Sequence, residues 1–420
     1  MSHHTTQAKR TSVRAISATV AALLLFCAIN CWLTWLQPHI GNDSELPEHG
    51  WSYWSVKAIR NTDPKKVNVV VLGSSLVSAA ITECDATLKK QQLDLCFYRG
   101  ASYLDEQMRS QFHQSYQTLN LAAPGQIPSD AYLTMKAALA NGITPGVVIY
   151  GVAPRDFIDH TLEDPCDTEA FHYFYQTMDM TDCPGELLKN PLRKLDSTLR
   201  QTVYLYSRAI PCSMTANTIG SGTLRLLLNI CFGGSQDIME RPVKADILRQ
   251  FRPFDLEPGR IVATPLSGRG PFLDNIQDYK DRYKQPSLDA YSTQMRFLER
   301  LVALCQNHDI EIILVNMPIT RQNLELLDNT WQRRYVDDLS RIASTHRIDL
   351  LDQCEFDRYF HEDFRDSVHL NGVGGKKFIN RLVQCMANKS GAARAMLAAG
   401  CRKKRSMATS RATDFAAGIQ

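Results

Sequence analysis

A serine hydroxyl is a weak nucleophile unless a base takes its proton. Two short segments of this chain supply the residue types for both jobs. In the first, Val69, Val70, Val71 and Leu72 form an apolar, β-branched run that ends at Gly73, Ser74, Ser75 and Leu76. A small-residue turn directly after a buried strand holds a hydroxyl at the strand's C-terminal end. If a helix follows, its N-terminal dipole lies nearby. In the second, Asp366 and His369 are three apart in Asp366-Ser367-Val368-His369-Leu370-Asn371. At that spacing in a loop a carboxylate can accept the Nδ1 proton and leave Nε2 free to face a serine. Ser75 is the expected nucleophile. Ser74 is the alternative, since adjacent serines on a tight turn can exchange roles by one register step. Each segment alone has a blander reading, as a turn and as the cap of a helix. The first and last strands of a parallel sheet can both present loops to one edge, which brings the two segments together.

The elements that must do the positioning follow from patterning. Strand signals at 67–72, 93–98, 117–121, 147–150, 311–316 and 348–351 alternate with helical signals at 129–140, 290–307, 331–345 and 374–388. Ser129 is placed to cap the first of these helices, and Gly142 to end it. Apolar strands alternating with amphipathic helices predict a three-layer α/β/α sandwich around a parallel sheet. Two regions break the rhythm. Residues 157–285 form a large insertion rich in Pro, Gly, aromatic and Cys residues. So long a stretch predicts a lid or subdomain rather than a bare loop. Residues 389–420, rich in Ala, Ser and Arg and carrying Arg402-Lys403-Lys404-Arg405, read as a disordered basic tail.

The N-terminus has a different character. After a basic leader, 1–14, with Lys9, Arg10 and Arg14, residues 15–36 carry no charge. As a helix these would span roughly 33 Å, enough for a hydrocarbon core of about 30 Å. Trp32 and Trp35 fall at the far end, where aromatic rings favour the interface. The expectation is a single transmembrane anchor with the basic side in the cytoplasm, followed by a linker at 37–66 and a domain at 67–388 outside. A cleaved signal peptide is the rival reading, and it lacks a clear small-x-small site.

The net charge of +3 over 420 residues and the absence of a nucleic-acid-binding motif give no reason to expect nucleic acid as a partner. Twelve cysteines are many for a reducing compartment. Cys84 and Cys96, Cys166 and Cys183, and Cys212 and Cys231 each flank a segment that a disulfide could close. No Cys or His cluster has metal-ligand spacing, and His113, His160, His172 and His361 stand alone. No metal or cofactor is expected. Asp156 beside Arg155 reads as a local ion pair or a substrate contact. Asn316, at the end of a strand, either lines the site or forms the turn there.

With those residues in view, the chain resembles the SGNH/GDSL hydrolases, a flavodoxin-like fold, and in particular their membrane-anchored branch. That branch includes the D-alanyl-lipoteichoic acid biosynthesis and alginate acetylation proteins. Gly73-Ser74-Ser75-Leu76 matches the family's Gly-Asp-Ser-Leu, with Ser74 in the Asp position. Asp366 and His369 match its Asp-x-x-His. Asn120-Leu121-Ala122-Ala123-Pro124-Gly125 matches its Asn-rich turn ending in Gly. The resemblance covers about 67–156 and 288–388. It implies an oxyanion hole formed by the Ser75 and Gly125 N–H groups. The third motif, Gly-x-Asn-Asp, falls at Gly151-Val152-Ala153-Pro154, where Ala153 replaces the oxyanion-binding Asn. A third donor must then come from elsewhere, with Arg155 a candidate, or be absent. The implied activity is serine acyl hydrolysis or acyl transfer outside the cytoplasm. The implied substrate is a cell-surface polysaccharide, and the implied partner is a multi-pass membrane O-acyltransferase, at the inner membrane facing the periplasm. A general extracytoplasmic esterase or lipase, and a non-catalytic accessory protein of similar fold, are the two other readings.

Overall fold

The computed structural model describes residues 18–32, 49–159, 164–178, 187, 256–265 and 272–401. The chain divides into two units. One holds Glu48–Met178 with Pro253–Gln420, and the other Met1–Pro47 with Asp179–Arg252.

In the larger unit, five strands form one sheet: β1 (Val69–Gly73), β3 (Thr118–Asn120), β4 (Val147–Val152), β6 (Glu311–Asn316) and β7 (Asp349–Asp352). Their spatial order is β3-β1-β4-β6-β7, and every neighbouring pair is parallel. The central strands are apolar throughout because helices cover both faces. Val69, Val70, Leu72, Val147, Val148, Leu314 and Val315 are fully buried. Counted along this sheet alone, the first strand lies between the second and third, so the chain reverses its direction of winding beside β1. Ligand sites in open α/β sheets lie beyond the C-terminal strand ends at such a reversal, and Ser75 follows β1 directly.

Two groups of helices cover the sheet. Helices Ser75–Lys89, Ser102–Phe112 and Gly372–Asn388 pack together, as do Pro128–Ala140, Leu288–Asn307 and Arg155–Ile158. The contact of Gly372–Asn388 with Ser75–Lys89 is very close. A Cβ on Gly375 would lie 2.1 Å from the Ala80 carbonyl oxygen, so only glycine fits there. This contact joins the helix that follows the Asp366-His369 loop to the helix that begins at Ser75.

Several expectations need correction. The strand expected at 93–98 is only β2, Leu93–Asp94, and it pairs antiparallel with β5 (Val262–Ala263) outside the main sheet. Asp94 turns the chain away: its carboxylate accepts the Cys96 N–H, and its carbonyl accepts the N–H groups of Phe97 and Tyr98. The helix expected from Ser129 begins at Pro128, and Asp130 rather than Ser129 accepts the Ile127 N–H, at 3.2 Å. The linker 37–66 contains a buried helix, Trp51–Asn61, with Trp51, Tyr53, Trp54, Val56 and Ile59 in the core. It packs on Glu169–Thr177 from the start of the insertion, where Glu169 accepts hydrogen bonds from the Ser52 N–H and hydroxyl. Residues 37–48 lie outside the described residues.

The expectation of a disordered tail from 389 onward is corrected for its first part. Residues 390–401 are helical, with Ala392, Met396 and Ala399 buried, and Tyr116 donates to the Met396 carbonyl at 2.9 Å. Alanine favours helix and its small side chain allows close packing. Residues 402–420, including the basic run, lie outside the described residues. Cys84 and Cys96 carry free thiols, so they are not joined to each other. Cys183, Cys212 and Cys231 lie outside the described residues.

In the smaller unit, residues 18–32 are helical, and Val20, Leu23, Leu24, Leu25 and Phe26 are exposed along that helix. This covers the middle of the expected anchor, and residues 15–17 and 33–36 lie outside the described residues. Among the described residues no helix is long and apolar enough to cross a membrane.

Candidate active site

Gly73 ends β1 with φ +141°, and a Cβ there would sit 2.7 Å from the Gly151 carbonyl and 2.5 Å from Val77 Cγ2. The glycine lets the chain leave the sheet between β1 and β4 and enter the helix Ser75–Lys89 at once. Ser74 is the N-cap residue of that helix. It is buried, and its hydroxyl faces the Asp156 carboxylate at 3.5 Å. Ser75, the first helical residue, is half-buried, so of the two serines it presents its hydroxyl outward.

Across the site, the Ser75 hydroxyl lies 2.7 Å from His369 Nε2. His369 Nδ1 lies 2.7 Å from Asp366 Oδ2. With the ring proton on Nδ1, Ser75 donates to Nε2 and Nδ1–H donates to the carboxylate. Asp366 Oδ1 also accepts the N–H groups of Val368 and His369, at 3.0 and 2.8 Å. Burial pushes the Asp366 carboxyl up. His369, through its hydrogen bond and charge, and the two N–H groups outweigh burial and hold it below the usual carboxylate value. An ionised Asp366 fixes the tautomer and can stabilise an imidazolium. The arrangement is able to take a proton from Ser75 as a bond forms and return it to a leaving group.

The surrounding loop is held from several sides. Arg365 Nη1 pairs with Glu83 Oε1 at 2.6 Å, which ties the loop to the Ser75–Lys89 helix. The Arg365 N–H donates to the His369 carbonyl at 2.8 Å. Asn371 caps the helix Gly372–Asn388, accepting the Val373 and Gly374 N–H groups at 3.0 Å each.

The other candidate residues fall at the same edge with different partners. Gly125 adopts φ +80°, with open space where a Cβ would stand, and its N–H has no hydrogen-bond acceptor among the described residues. Before it, the Ala123 N–H donates to the Gly73 carbonyl at 2.9 Å, and Gln126 Oε1 accepts the Gly73 N–H at 2.8 Å. The Asn120–Gly125 turn is thereby fastened to the Ser75 turn. The Ser75 N–H is one of the first-turn donors that an α-helix leaves without an intrahelical partner.

Ala153 cannot offer a side-chain donor, and its N–H is taken by Asp156 Oδ2 at 3.0 Å. Arg155 is buried and committed: its Nε lies 3.1 Å from Asp159 and its Nη1 3.6 Å from Asp156. Arg282 pairs with the same Asp159 carboxylate. Burial pushes Asp156 up to about 6, against Arg155, the Ala153 N–H and Ser74. Asn316 is similarly engaged, donating to Asp352 at 2.9 Å and accepting from the Tyr335 hydroxyl at 2.9 Å. It joins the ends of β6 and β7.

Three roles escaped the reading of the sequence. Asp156, expected only as a partner of Arg155 or of substrate, also ties Ser74 to the β4 exit. Glu83 anchors Arg365. Asn275, near the end of the insertion, reaches the Asp366–His369 loop at Ser367. The only signal for Asn275 was its place just before a short helical pattern. Among the described residues, no group of His, Cys, Asp and Glu side chains could hold a metal ion.

Compared with known proteins, the chain matches no family model and no curated sequence.

Proposed function

We propose that this chain is a serine acyl-hydrolase or acyltransferase of the SGNH type, with Ser75 as nucleophile, His369 as general base and Asp366 as its orienting carboxylate. The observation that carries the reading is the unbroken line of short contacts, Ser75 Oγ to His369 Nε2 and His369 Nδ1 to Asp366, each 2.7 Å. In the acylation step the serine oxygen adds to an ester carbonyl while its proton passes to Nε2. The oxyanion is met by the N–H groups of Ser75 and Gly125. Collapse expels the alcohol, which takes the proton back from His369. A second alcohol or water then reverses the sequence. The substrate class is a cell-surface glycan carrying O-acyl groups on its hydroxyls, with acetyl as the group moved. The partner is a multi-pass membrane O-acyltransferase that delivers the acyl group across the bilayer.

Labelling with a fluorophosphonate tests the assignment. The reagent is expected to label the full chain and the Ser74→Ala variant, and to miss Ser75→Ala. The wild type is also expected to cleave an acetyl-ester chromogen. Labelling that survives in Ser75→Ala, or a wild type that neither labels nor cleaves, would overturn the reading, the second in favour of a non-catalytic accessory protein.

The uncharged stretch 15–36 after the basic leader supports an inner-membrane anchor, with the larger unit in the periplasm. Reporter fusions placed after Gln37 are expected to be active only outside the cytoplasm. Activity confined to the cytoplasm would sink the topology.

A further inference from the structure

Ser367 lies between Asp366 and His369 and is fully buried, and each of its polar groups has a partner. Its carbonyl accepts the Thr320 N–H at 3.1 Å and the Thr320 hydroxyl at 2.7 Å. Its hydroxyl accepts from Asn323 Nδ2 at 3.1 Å. Its N–H and hydroxyl both donate to Asn275 Oδ1, at 3.0 and 2.5 Å. Asn323 is in turn held by the Tyr283 hydroxyl, 3.3 Å from its Oδ1. The return segment of the insertion therefore reaches Ser367 twice, directly through Asn275 and indirectly from Tyr283 through Asn323.

The same segment runs along the catalytic loop. The Leu273 N–H donates to the Arg365 carbonyl at 2.8 Å, and Leu273 bridges to Asp366 as a parallel pair. Arg282, one residue before Tyr283, pairs with Asp159 beyond β4. Residues 273–283 thus connect the loop that carries the base to the loop that leaves the β4 edge.

We infer that Asn275 is a positioning residue: by holding Ser367 it sets the Asp366–His369 turn, and so makes the return segment of the insertion part of the catalytic apparatus. The inference rests on the reading of Ser75, His369 and Asp366 as one relay. The physical reason is local. The turn must aim one carboxylate oxygen at Nδ1 while the other takes two N–H groups, and a small peptide rotation at Ser367 would separate these demands. Asn275 fixes that peptide through its N–H. A side chain without an acceptor would leave the buried Ser367 N–H unpaired, and such a group relaxes toward any other acceptor it can reach.

Asn275→Ala is expected to lower kcat by about 10- to 100-fold with KM within about twofold, because positioning rather than binding is lost. Asn275→Asp keeps an acceptor oxygen for both Ser367 donors and is expected to recover most of the loss. Rates are normalised to the end-point of fluorophosphonate labelling in the full chain, which counts competent sites and removes any folding defect. The low-field proton resonance of the His369 Nδ1–H, hydrogen-bonded to Asp366, gives a readout independent of turnover. It is expected to weaken or shift in Asn275→Ala and to return in Asn275→Asp. If the wild type labels at Ser75 and Asn275→Ala matches it in kcat per site and in that resonance, the inference falls while the relay stands. If the wild type neither labels nor cleaves an acetyl-ester chromogen, the relay reading falls. The resonance then still decides whether Asn275 sets the Asp366–His369 contact.

Discussion

Ser75→Ala and His369→Ala are each expected to lower ester turnover by roughly 10⁴- to 10⁶-fold, and the double variant is expected to lose little more than either alone. Residues that act as a unit are strongly non-additive, because removing one leaves the other nothing to do. The 2.7 Å contact between Ser75 and His369 Nε2 is what makes them a unit here. Asp366→Asn keeps the imidazole but loosens its tautomer and orientation, so its loss is expected to be smaller than that of His369→Ala. Single-turnover rates of the three variants and the Ser75/His369 double variant provide the measurement. Losses that simply multiply in the double variant would show that His369 acts apart from Ser75.

The second large effect is on stability. Gly375→Ala places a methyl 2.1 Å from the Ala80 carbonyl, with Cys84 Cβ 3.2 Å away. The obstacle is backbone, so the helices Ser75–Lys89 and Gly372–Asn388 must separate. Overpacking of this kind costs about 1–3 kcal/mol and occasionally more, and a backbone clash belongs at the upper end. Chemical denaturation of the full chain is expected to show a stability loss of at least about 2 kcal/mol with an unchanged denaturant slope. Activity per labelled site is expected to fall as well, since these helices begin at Ser75 and just after His369. A variant as stable as the wild type would mean that this helix pair has room to spare.

The strands with uninterrupted β-branched runs, around Val69–Val71, Val147–Ile149 and Ile312–Val315, could be read from the sequence because full burial on both faces leaves little polar interruption. The helix Trp51–Asn61 could not. Trp51, Ser52, Tyr53, Trp54, Ser55 and Val56 are buried one after another, so its buried surface is wider than an apolar stripe and includes two serines. The tail helix at 390–401 was hidden by composition: alanine and arginine describe a solvated tail and a packed helix equally well. Of the site, the juxtaposition of Ser75, His369 and Asp366 was legible because Asp366 and His369 are close in sequence and Ser75 follows a strand. The brace on Ser367 was not, because Asn275 is 92 positions away and sits near the end of the insertion, which shows no strand-helix repeat. Asn316 ends β6 and Arg155 lies three residues past β4. Whether their side chains were available depended on Asp159, Asp352 and Tyr335, which spacing alone did not connect to them.

The capture of the Ala153 N–H by Asp156 has a consequence for timing. An oxyanion met by two donors instead of three is less stabilised, and one donor is worth about two to three powers of ten in rate. That handicap applies to water and to alcohols alike, so an acyl group on Ser75 would be long-lived toward both. The fate of such an ester would then be decided by residence rather than by intrinsic reactivity. A hydroxyl held against the site can act at an effective concentration of about 10⁵ M or more, whereas bulk water gains nothing from binding. The missing donor would thus act as a timer. It would keep the acyl-enzyme waiting long enough for an acceptor to bind before solvent attacks, which favours transfer over hydrolysis without any change to the relay itself.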